Sequence, residues 1–278
     1  MSFQQLITRW LTAQTTEAIK KELFTPEEPG TEIARCDDAD SLTTDIGFVF
    51  ALPMEAAGIV DRLADRQTTI GDGRKFHTGR LRQFRIAVVE SGVGQEKAGR
   101  ATDALIETFR PQRLVSAGYS GALSETLKRF AVRIPTAVVR ESDGKRIDLQ
   151  PDADNAVILL TTDFVVATPK RKKSLGAKHQ AALVDMETFA VAERSRDHGV
   201  PFLSIRIVLD TVGESLPKDV QRIMRSAERS TARLAGSVLG SLFSRPSALL
   251  DLYKLKERAI DATDRLAKRI FSELMQDT

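Results

Sequence analysis

Short apolar runs alternate with segments of helical periodicity over residues 45–210, and this pattern limits the possible folds more than any other feature. IGFVFAL is followed by PMEAAGIVDRL, FRIAVVES by QEKAGRATDALIETF, and VDMETFAVAERSRDHG by PFLSIRIVLD. Strands that alternate with helices pair mainly in parallel, and the helices then cover both faces of the sheet. The sequence therefore predicts an α/β fold of three layers.

The chain divides by pattern into three parts. Residues 1–44 combine an amphipathic helical pattern with a polar, acidic connector, and residues 45–215 carry the alternating strands and helices. Residues 216–278 are wholly helical in pattern. We expect a core with extra N- and C-terminal helices. Within the core, the basic segment TPKRKKSLGAKHQ (168–180) is predicted to be a solvated surface helix or a mobile loop.

Composition and charge disfavour several classes of protein. With 42% hydrophobic and 28% charged residues, the chain has the balance of a soluble globular protein. We expect a cytoplasmic protein without a membrane span, because no apolar run approaches roughly 18 residues and the N-terminus lacks a signal-peptide pattern. One cysteine and three scattered histidines predict neither a disulfide nor a metal site. The net charge is only +3, and acids are interspersed in the basic tail, which disfavours a nucleic-acid or membrane-surface module.

Polar residues and glycines follow the predicted strands at the positions where α/β proteins bind ligands. These are Glu55, the turn Ser91–Gly94, the segment Gly118–Leu123 and Asp210. VDMETFAVAE adds a pair of acids, Asp185 and Glu187, at a predicted helix start. Acids in a first turn can simply complement the helix dipole, and both glycine-rich segments can simply be turns. A turn with bare N–H groups at a helix start can also hold an anion or a hydroxyl group.

The last predicted strand carries polar residues where a covered strand should be apolar. Ser204, Arg206, Val208 and Asp210 share one face by alternation. The face could be half exposed to solvent. If Arg206 is buried, however, it needs a carboxylate or an anionic ligand, which favours a binding site.

Taken together, these motifs resemble the purine nucleoside phosphorylase and nucleosidase superfamily, and their pattern is most similar to 5′-methylthioadenosine/S-adenosylhomocysteine nucleosidases. The resemblance covers about residues 46–211. It is carried by IGFVFALPMEAA, FHTGRLRQFRIAVVESGVGQEKAG, GYSGAL, VDMETFAVAE and SIRIVLD in the family's order. RPSALLDLYKL and TTDFVVATPKRKK resemble the hopanoid-associated branch. The implied fold is a twisted mixed β-sheet, partly closed as a barrel and flanked by helices.

The resemblance also implies roles for individual residues. Asp210 would protonate purine N7, and Glu187 would hold the ribose hydroxyls. Glu55, with Arg206 beside it, would orient and deprotonate the attacking water. The other positions expected to bind the substrate are Met186, Tyr119, Gly118, Ser91, Gly92, Gly94, Val165 and Val166.

The implied reaction is cleavage of the N-glycosidic bond of an adenine-type nucleoside, by water or by phosphate. Ser116 stands where hexameric phosphorylases carry an arginine, yet Arg206 and the amides of Ser91–Gly94 could still bind phosphate. No cofactor is implied beyond phosphate as co-substrate, the partner is a small nucleoside, and a homodimer is expected. The alternative is an inactive nucleoside-binding protein in which the bulky Tyr119, in place of a small serine, fills the sugar site.

Overall fold

The computed structural model describes residues 43–149, 157–216 and 246–276, with side chains of the last segment from 257 to 274. All of these residues fall within one unit of the chain, Asp40–Thr278. The predicted helix over residues 3–23 and the stretch 217–245 lie outside the described residues. The boundaries proposed between residues 44 and 45 and between 215 and 216 stay predictions.

Eleven strands lie in the described residues. In chain order they are β1 (Ile46–Phe50), β2 (Ala64–Gly71), β3 (Arg74–Leu81), β4 (Phe84–Glu90), β5 (Arg113–Ala122), β6 (Val132–Arg133), β7 (Ala137–Arg140), β8 (Arg146–Asp148), β9 (Ile158–Thr161), β10 (Leu183–Asp185) and β11 (Phe202–Asp210).

Five helices accompany these strands. They are α1 (Pro53–Val60), α2 (Gln95–Phe109), α3 (Pro169–His179), α4 (Thr188–Asp197) and α5 (Pro246–Gln276). None of the helices in the described ranges is both long enough and apolar enough to cross a membrane.

The strands form one mixed sheet in the order β2-β3-β4-β1-β5-β10-β9-β7-β8, and β11 pairs with β5 and β6. The centre is parallel: β1 pairs in parallel with β4 and β5, and β11 with β5. Hairpin pairs such as β2 with β3 supply the antiparallel part. The predicted twisted mixed sheet flanked by helices is confirmed. Within the described strands the sheet does not close into a complete barrel.

Helix α5 packs its apolar face against the sheet and α1. Its buried side chains recur every three or four residues, as an amphipathic helix requires; they are Ala259, Ala262, Leu266, Ala267, Ile270 and Leu274. All of them except Ala259 join one hydrophobic cluster with β1, α1 and β11. The helical pattern read in the C-terminal sequence is therefore confirmed over these positions.

Two local predictions are corrected by the structure. Gly118–Leu123 does not form a turn, because Gly118–Ala122 continues β5 and pairs with β11 and β10. The basic segment 168–180 was predicted to be a solvated surface helix or a mobile loop. It forms helix α3, but the helix is not fully solvated. Lys172 at its centre is 0% exposed, because its ammonium group finds oxygen partners inside the protein.

Candidate active site

A small cavity lies at the carboxyl ends of β1 and β4, where α/β sheets commonly bind ligands. Residues 116–119 of β5 line one wall, and Ser91 follows β4 into the site. Arg206 reaches the cavity from β11, Glu55 from α1 and Glu187 from the start of α4. The structure thus gathers two carboxylates and one guanidinium around one space.

Glu55 caps a helix and also faces the cavity. Its side chain is buried; Oε2 accepts a hydrogen bond from Leu52 N at 2.8 Å and Oε1 accepts one from Tyr119 N at 2.7 Å. Burial raises the pKa of Glu55, against the lowering effects of the Tyr119 N–H and of the nearby Arg206 charge. Glu55 therefore does lie in the first turn of α1, where an acid complements the helix dipole. A raised pKa also makes this carboxylate a stronger base.

Gly118 gives Glu55 the space that it occupies. A Cβ atom built on Gly118 would lie 2.7 Å from Glu55 Oε1, which is too close for atoms that are not bonded. This contact explains a glycine inside a strand, where glycine otherwise weakens packing.

Arg206 is held in a buried ion pair with Asp185. The guanidinium group is 2% exposed; Nε donates to Asp185 Oδ2 at 3.1 Å, and Nη2 lies 3.1 Å from the same oxygen. Nη2 also donates to Ser116 Oγ at 2.6 Å and to Thr188 Oγ1 at 2.7 Å. The expectation that a buried Arg206 requires a carboxylate is confirmed, and that carboxylate belongs to Asp185.

Asp185 combines the predicted helix cap with this ion pair. Its Oδ2 accepts from Thr188 N at 3.0 Å and from the Thr188 hydroxyl, so it satisfies the first N–H of α4 from two residues before the N-cap position. Its Oδ1 accepts from Thr161 Oγ1 at 2.7 Å. Because Oδ2 also binds Arg206, Asp185 balances the guanidinium charge inside the protein, which the helix-cap interpretation alone had missed.

Glu187 stands at the N-cap position of α4, and its pKa is raised well above the ordinary value. Oε1 accepts from Gly94 N at 2.8 Å and Oε2 from Met186 N at 3.2 Å. Burial, followed by repulsion from Asp185, raises the pKa of Glu187 to about 8. Glu187 therefore holds its proton to higher pH than an exposed glutamate does.

Several N–H groups of the turn after β4 already donate hydrogen bonds within the protein. Ser91 N donates to Phe50 O at 2.8 Å and Gly92 N to Ala51 O at 3.1 Å. Gly94 has φ of 104°, which favours glycine, and its N–H is the donor to Glu187. Three of the amides considered as an anion site are thus already bonded.

Asp210 lies apart from this cavity wall, in contact with Lys172. A register shift between Val208 and Asp210 in the pairing of β11 with β5 interrupts the alternation that placed Arg206 and Asp210 on one face. Lys172 Nζ donates to Asp210 Oδ2. Burial raises the pKa of Asp210, and the Lys172 charge opposes this rise.

The Tyr119 phenol is bonded away from the sheet, to α5. Its hydroxyl lies 2.8 Å from Thr263 Oγ1 and donates to Ala259 O at 3.2 Å. Burial raises the pKa of this phenol well above its ordinary value. Tyr119 therefore borders the cavity but uses its hydroxyl to attach the C-terminal helix.

The remaining predicted contacts lie outside the cavity wall. Gly92, Gly94 and Met186 are not among the residues that line the cavity, and Val166 is packed in a core cluster. Val165 is half-buried in the loop before α3. In the part of the chain that the structure describes, no group of three or more His, Cys, Asp or Glu is arranged to hold a metal ion.

Sequence reasoning missed the partners that hold the charged residues. Ser116 and Thr188 bind Arg206, and Lys172 binds Asp210. The requirement that buried Arg206 have a carboxylate was a usable signal, but it did not say which one. Lys172 gave no signal, because it stands within a run of basic residues.

Comparison with known proteins identifies the family. The model of the Phosphorylase superfamily matches residues 45–158 and 145–240. The chain is 24% identical over 231 residues to a 5′-methylthioadenosine/S-adenosylhomocysteine nucleosidase of Geobacillus sp. (strain WCH70), covering 71% of this chain and 98% of that protein. It is 26% identical over 234 residues to the enzyme of the same name from Colwellia psychrerythraea, covering 70% and 96%.

Solved structures agree on the fold. The Helicobacter pylori 5′-methylthioadenosine/S-adenosylhomocysteine nucleosidase superposes with a TM-score of 0.62 at 19% identity, covering 83% of this chain and 97% of that one. The Colwellia psychrerythraea enzyme in complex with adenine gives 0.59 at 22% identity, covering 72% and 96%. With its mixed sheet, its carboxylate-lined cavity and a family match over most of its length, the chain belongs to the Phosphorylase superfamily.

Proposed function

We propose that the protein hydrolyses the N-glycosidic bond of an adenine-type purine nucleoside. The observation that carries this proposal is the cavity itself, where Glu55 and Glu187 both have raised pKa values and the one guanidinium of the wall is balanced by Asp185. Such a site lacks positive charge. The relatives named above, which are nucleosidases, support the same activity.

The reaction develops positive charge on the sugar, and the carboxyl groups of the cavity can stabilise that charge. Breaking the bond between ribose and purine produces a sugar with oxocarbenium character, as in glycoside hydrolysis. In our proposal Glu187 holds the ribose hydroxyls, and its carboxylate stabilises the developing positive charge. Glu55 deprotonates the attacking water, and Asp210 gives a proton to the departing purine at N7. Met186, Val165 and Val166 are proposed to complete the binding surface.

Water fits this site better than phosphate does. Arg206, the cation of the cavity wall, is already bonded to Asp185, Ser116 and Thr188. The amides of Ser91, Gly92 and Gly94 are also engaged. A phosphate dianion would therefore meet a cation and three turn amides that are already bonded, so a nucleosidase is favoured over a phosphorylase. Hydrolysis by these side chains assigns no step to a cofactor.

A base-release assay tests the proposal. The protein is incubated with adenosine, methylthioadenosine, S-adenosylhomocysteine and inosine, with and without phosphate, and free base is measured. We expect phosphate-independent release from the adenine nucleosides and its loss in Asp210→Asn. Release that depends on phosphate would overturn hydrolysis. A nucleoside that binds without being cleaved would favour the inactive binding protein, although the direction of the Tyr119 hydroxyl removes one reason for that alternative.

We further propose that the protein is a cytoplasmic homodimer, as the superfamily resemblance suggests. Light scattering coupled to size-exclusion chromatography measures the mass in solution. A mass of one chain at micromolar concentration would refute the dimer.

A further inference from the structure

Lys172 is a fully buried lysine on a helix whose neighbouring lysines are exposed. Its side chain is 0% exposed, whereas the side chain of Lys173 is 58% exposed and pairs with Glu125. Lys172 Nζ donates to Asp210 Oδ2, to Thr211 O at 2.7 Å and to Glu214 O at 2.9 Å. An ammonium group has three donors, and each has an acceptor here.

The ion pair is open only on the side of the carboxylate. Asp210 retains 17% exposure of its side chain while Lys172 retains none. Lys172 contacts Oδ2, so Oδ1 can accept a second partner. The strand opposite carries Gly121, where an added Cβ would lie 3.3 Å from Oδ2 and 3.5 Å from Oδ1. Glycine at this position keeps space beside the carboxyl group.

We propose that Lys172 is a positioning residue for the acid Asp210: it fixes Oδ2, leaves Oδ1 to the purine and stabilises the carboxylate that forms when the proton is given up. This inference rests on the proposed function. In the step, the O–H bond of Asp210 breaks and an N–H bond forms at the purine. The electron pair of the glycosidic bond stays with the purine, and Lys172 keeps its protons throughout.

Other charged groups lie around Asp210, but Lys172 is the cation that contacts its carboxylate. Glu214, which follows β11, repels the Asp210 carboxylate, and Arg129, on the loop after β5, attracts it. Arg129 is itself bonded to Glu214, and Arg258 of α5 lies 4.0 Å from the same carboxylate. Burial raises the pKa of Asp210 and Lys172 lowers it. Without Lys172, Asp210 would keep its proton to higher pH and release it less readily.

The pH profile of kcat for a nucleoside substrate distinguishes positioning from a structural role. In Lys172→Met we expect the basic limb to move to higher pH and kcat to fall roughly ten- to a hundred-fold, as for the loss of one hydrogen bond to a charged group. Lys173→Met is the matched control and should behave as the wild type. Cleavage of 4-nitrophenyl ribofuranoside, whose leaving group needs no protonation, should change little in Lys172→Met. An unchanged basic limb with the nucleoside would overturn the inference.

A double-mutant cycle provides the second test. If Lys172 acts through Asp210, Lys172→Met should have no further effect on kcat in an Asp210→Asn background. This double variant also leaves no unpaired buried charge, so it remains measurable if Lys172→Met alone does not fold. Additive losses would overturn the inference. Titration of the Asp210 carboxyl by 13C NMR needs no turnover: a higher pKa in Lys172→Met supports the role of Lys172 even if no nucleoside is cleaved, and an unchanged pKa refutes it.

Discussion

Replacing Glu187 with glutamine should stabilise the protein and impair its activity. Glutamine has nearly the same shape, and its side-chain oxygen can still accept the Gly94 N–H bond that Oε1 accepts at 2.8 Å. It removes the cost of ionising a carboxyl group in this cavity, but its NH2 group replaces the oxygen that accepts from Met186 N at 3.2 Å. Glu187 has a folded pKa of about 8 against an ordinary value of 4.5, so the folded protein holds a proton that the unfolded chain releases.

The size of this effect follows from linkage. Because the folded pKa is raised, the contribution of Glu187 to stability is greatest below pH 4.5 and is lost as the pH rises towards 8. The loss is about 1.4 kcal/mol per pH unit across this window and reaches about 3 kcal/mol at pH 7. A weaker hydrogen bond from Gly94 and the loss of the acceptor for Met186 N return about 1 kcal/mol of it. We expect Glu187→Gln to gain about 2 kcal/mol at pH 7, or roughly 4–8 °C in Tm for a chain of this size.

Thermal unfolding from pH 5 to pH 8 measures this gain. The difference between Glu187→Gln and the wild type should be small at pH 5 and should grow with pH. Glu96→Gln is the matched control, because the exposed Glu96 pairs with Arg100 across one helical turn, and it should change stability by a few tenths of a kcal/mol. Base release should fall at least roughly a hundred-fold in Glu187→Gln, since a charged hydrogen-bond partner of the sugar is lost. A stability gain that does not depend on pH, or a loss of stability at pH 8, would refute the reasoning.

Three further outcomes are expected. Gly118→Ala must displace the Glu55 carboxylate, so kcat should fall while the fold survives. Gly99→Ala is the control: its added Cβ would meet its nearest atom at 3.6 Å, so kcat should be unchanged. Equal kcat in the two variants would contradict the contact between Gly118 and Glu55. Tyr119→Phe removes the bond to Thr263 and should lower the free energy of unfolding by roughly 1 kcal/mol with little change in kcat, as chemical denaturation and base release measure. The pH profile of kcat should be bell-shaped, with an acid limb above the ordinary glutamate range because the base Glu55 has a raised pKa; an acid limb near pH 4 would argue against Glu55 as the base.

The order of strands and helices could be predicted from the sequence because it depends on local periodicity. The runs that became β1, β4 and β11, and the helices that follow the first two, were all recognisable. The buried face of α5 was also predictable, since three- and four-residue spacing is a local property of the chain. What failed was the environment of α3, because burial of Lys172 depends on Asp210, which lies 38 residues away in sequence.

The residues of the cavity were largely predictable, but their partners were not. Glu55, Glu187 and Arg206 lie together as expected. The pairing of Arg206 with Asp185 depends on which carboxylate the folded backbone brings within 3.1 Å of the guanidinium. No periodicity records such a distance, although the physical rule that a buried charge needs a partner predicted that one would exist.

Strand β5 shows why its small residues looked like a turn in the sequence. Three of them lie against charged groups of the site: Ser116 binds Arg206, Gly118 contacts Glu55, and Gly121 stands opposite Asp210. Glycine costs a strand backbone entropy and packing, so its presence here reflects the space that the carboxylates need. Enlarging either glycine should therefore impair catalysis before it impairs folding. The small residues that suggested a turn are therefore explained by the acids packed against β5. They reflect the needs of the site and not a turn of the backbone.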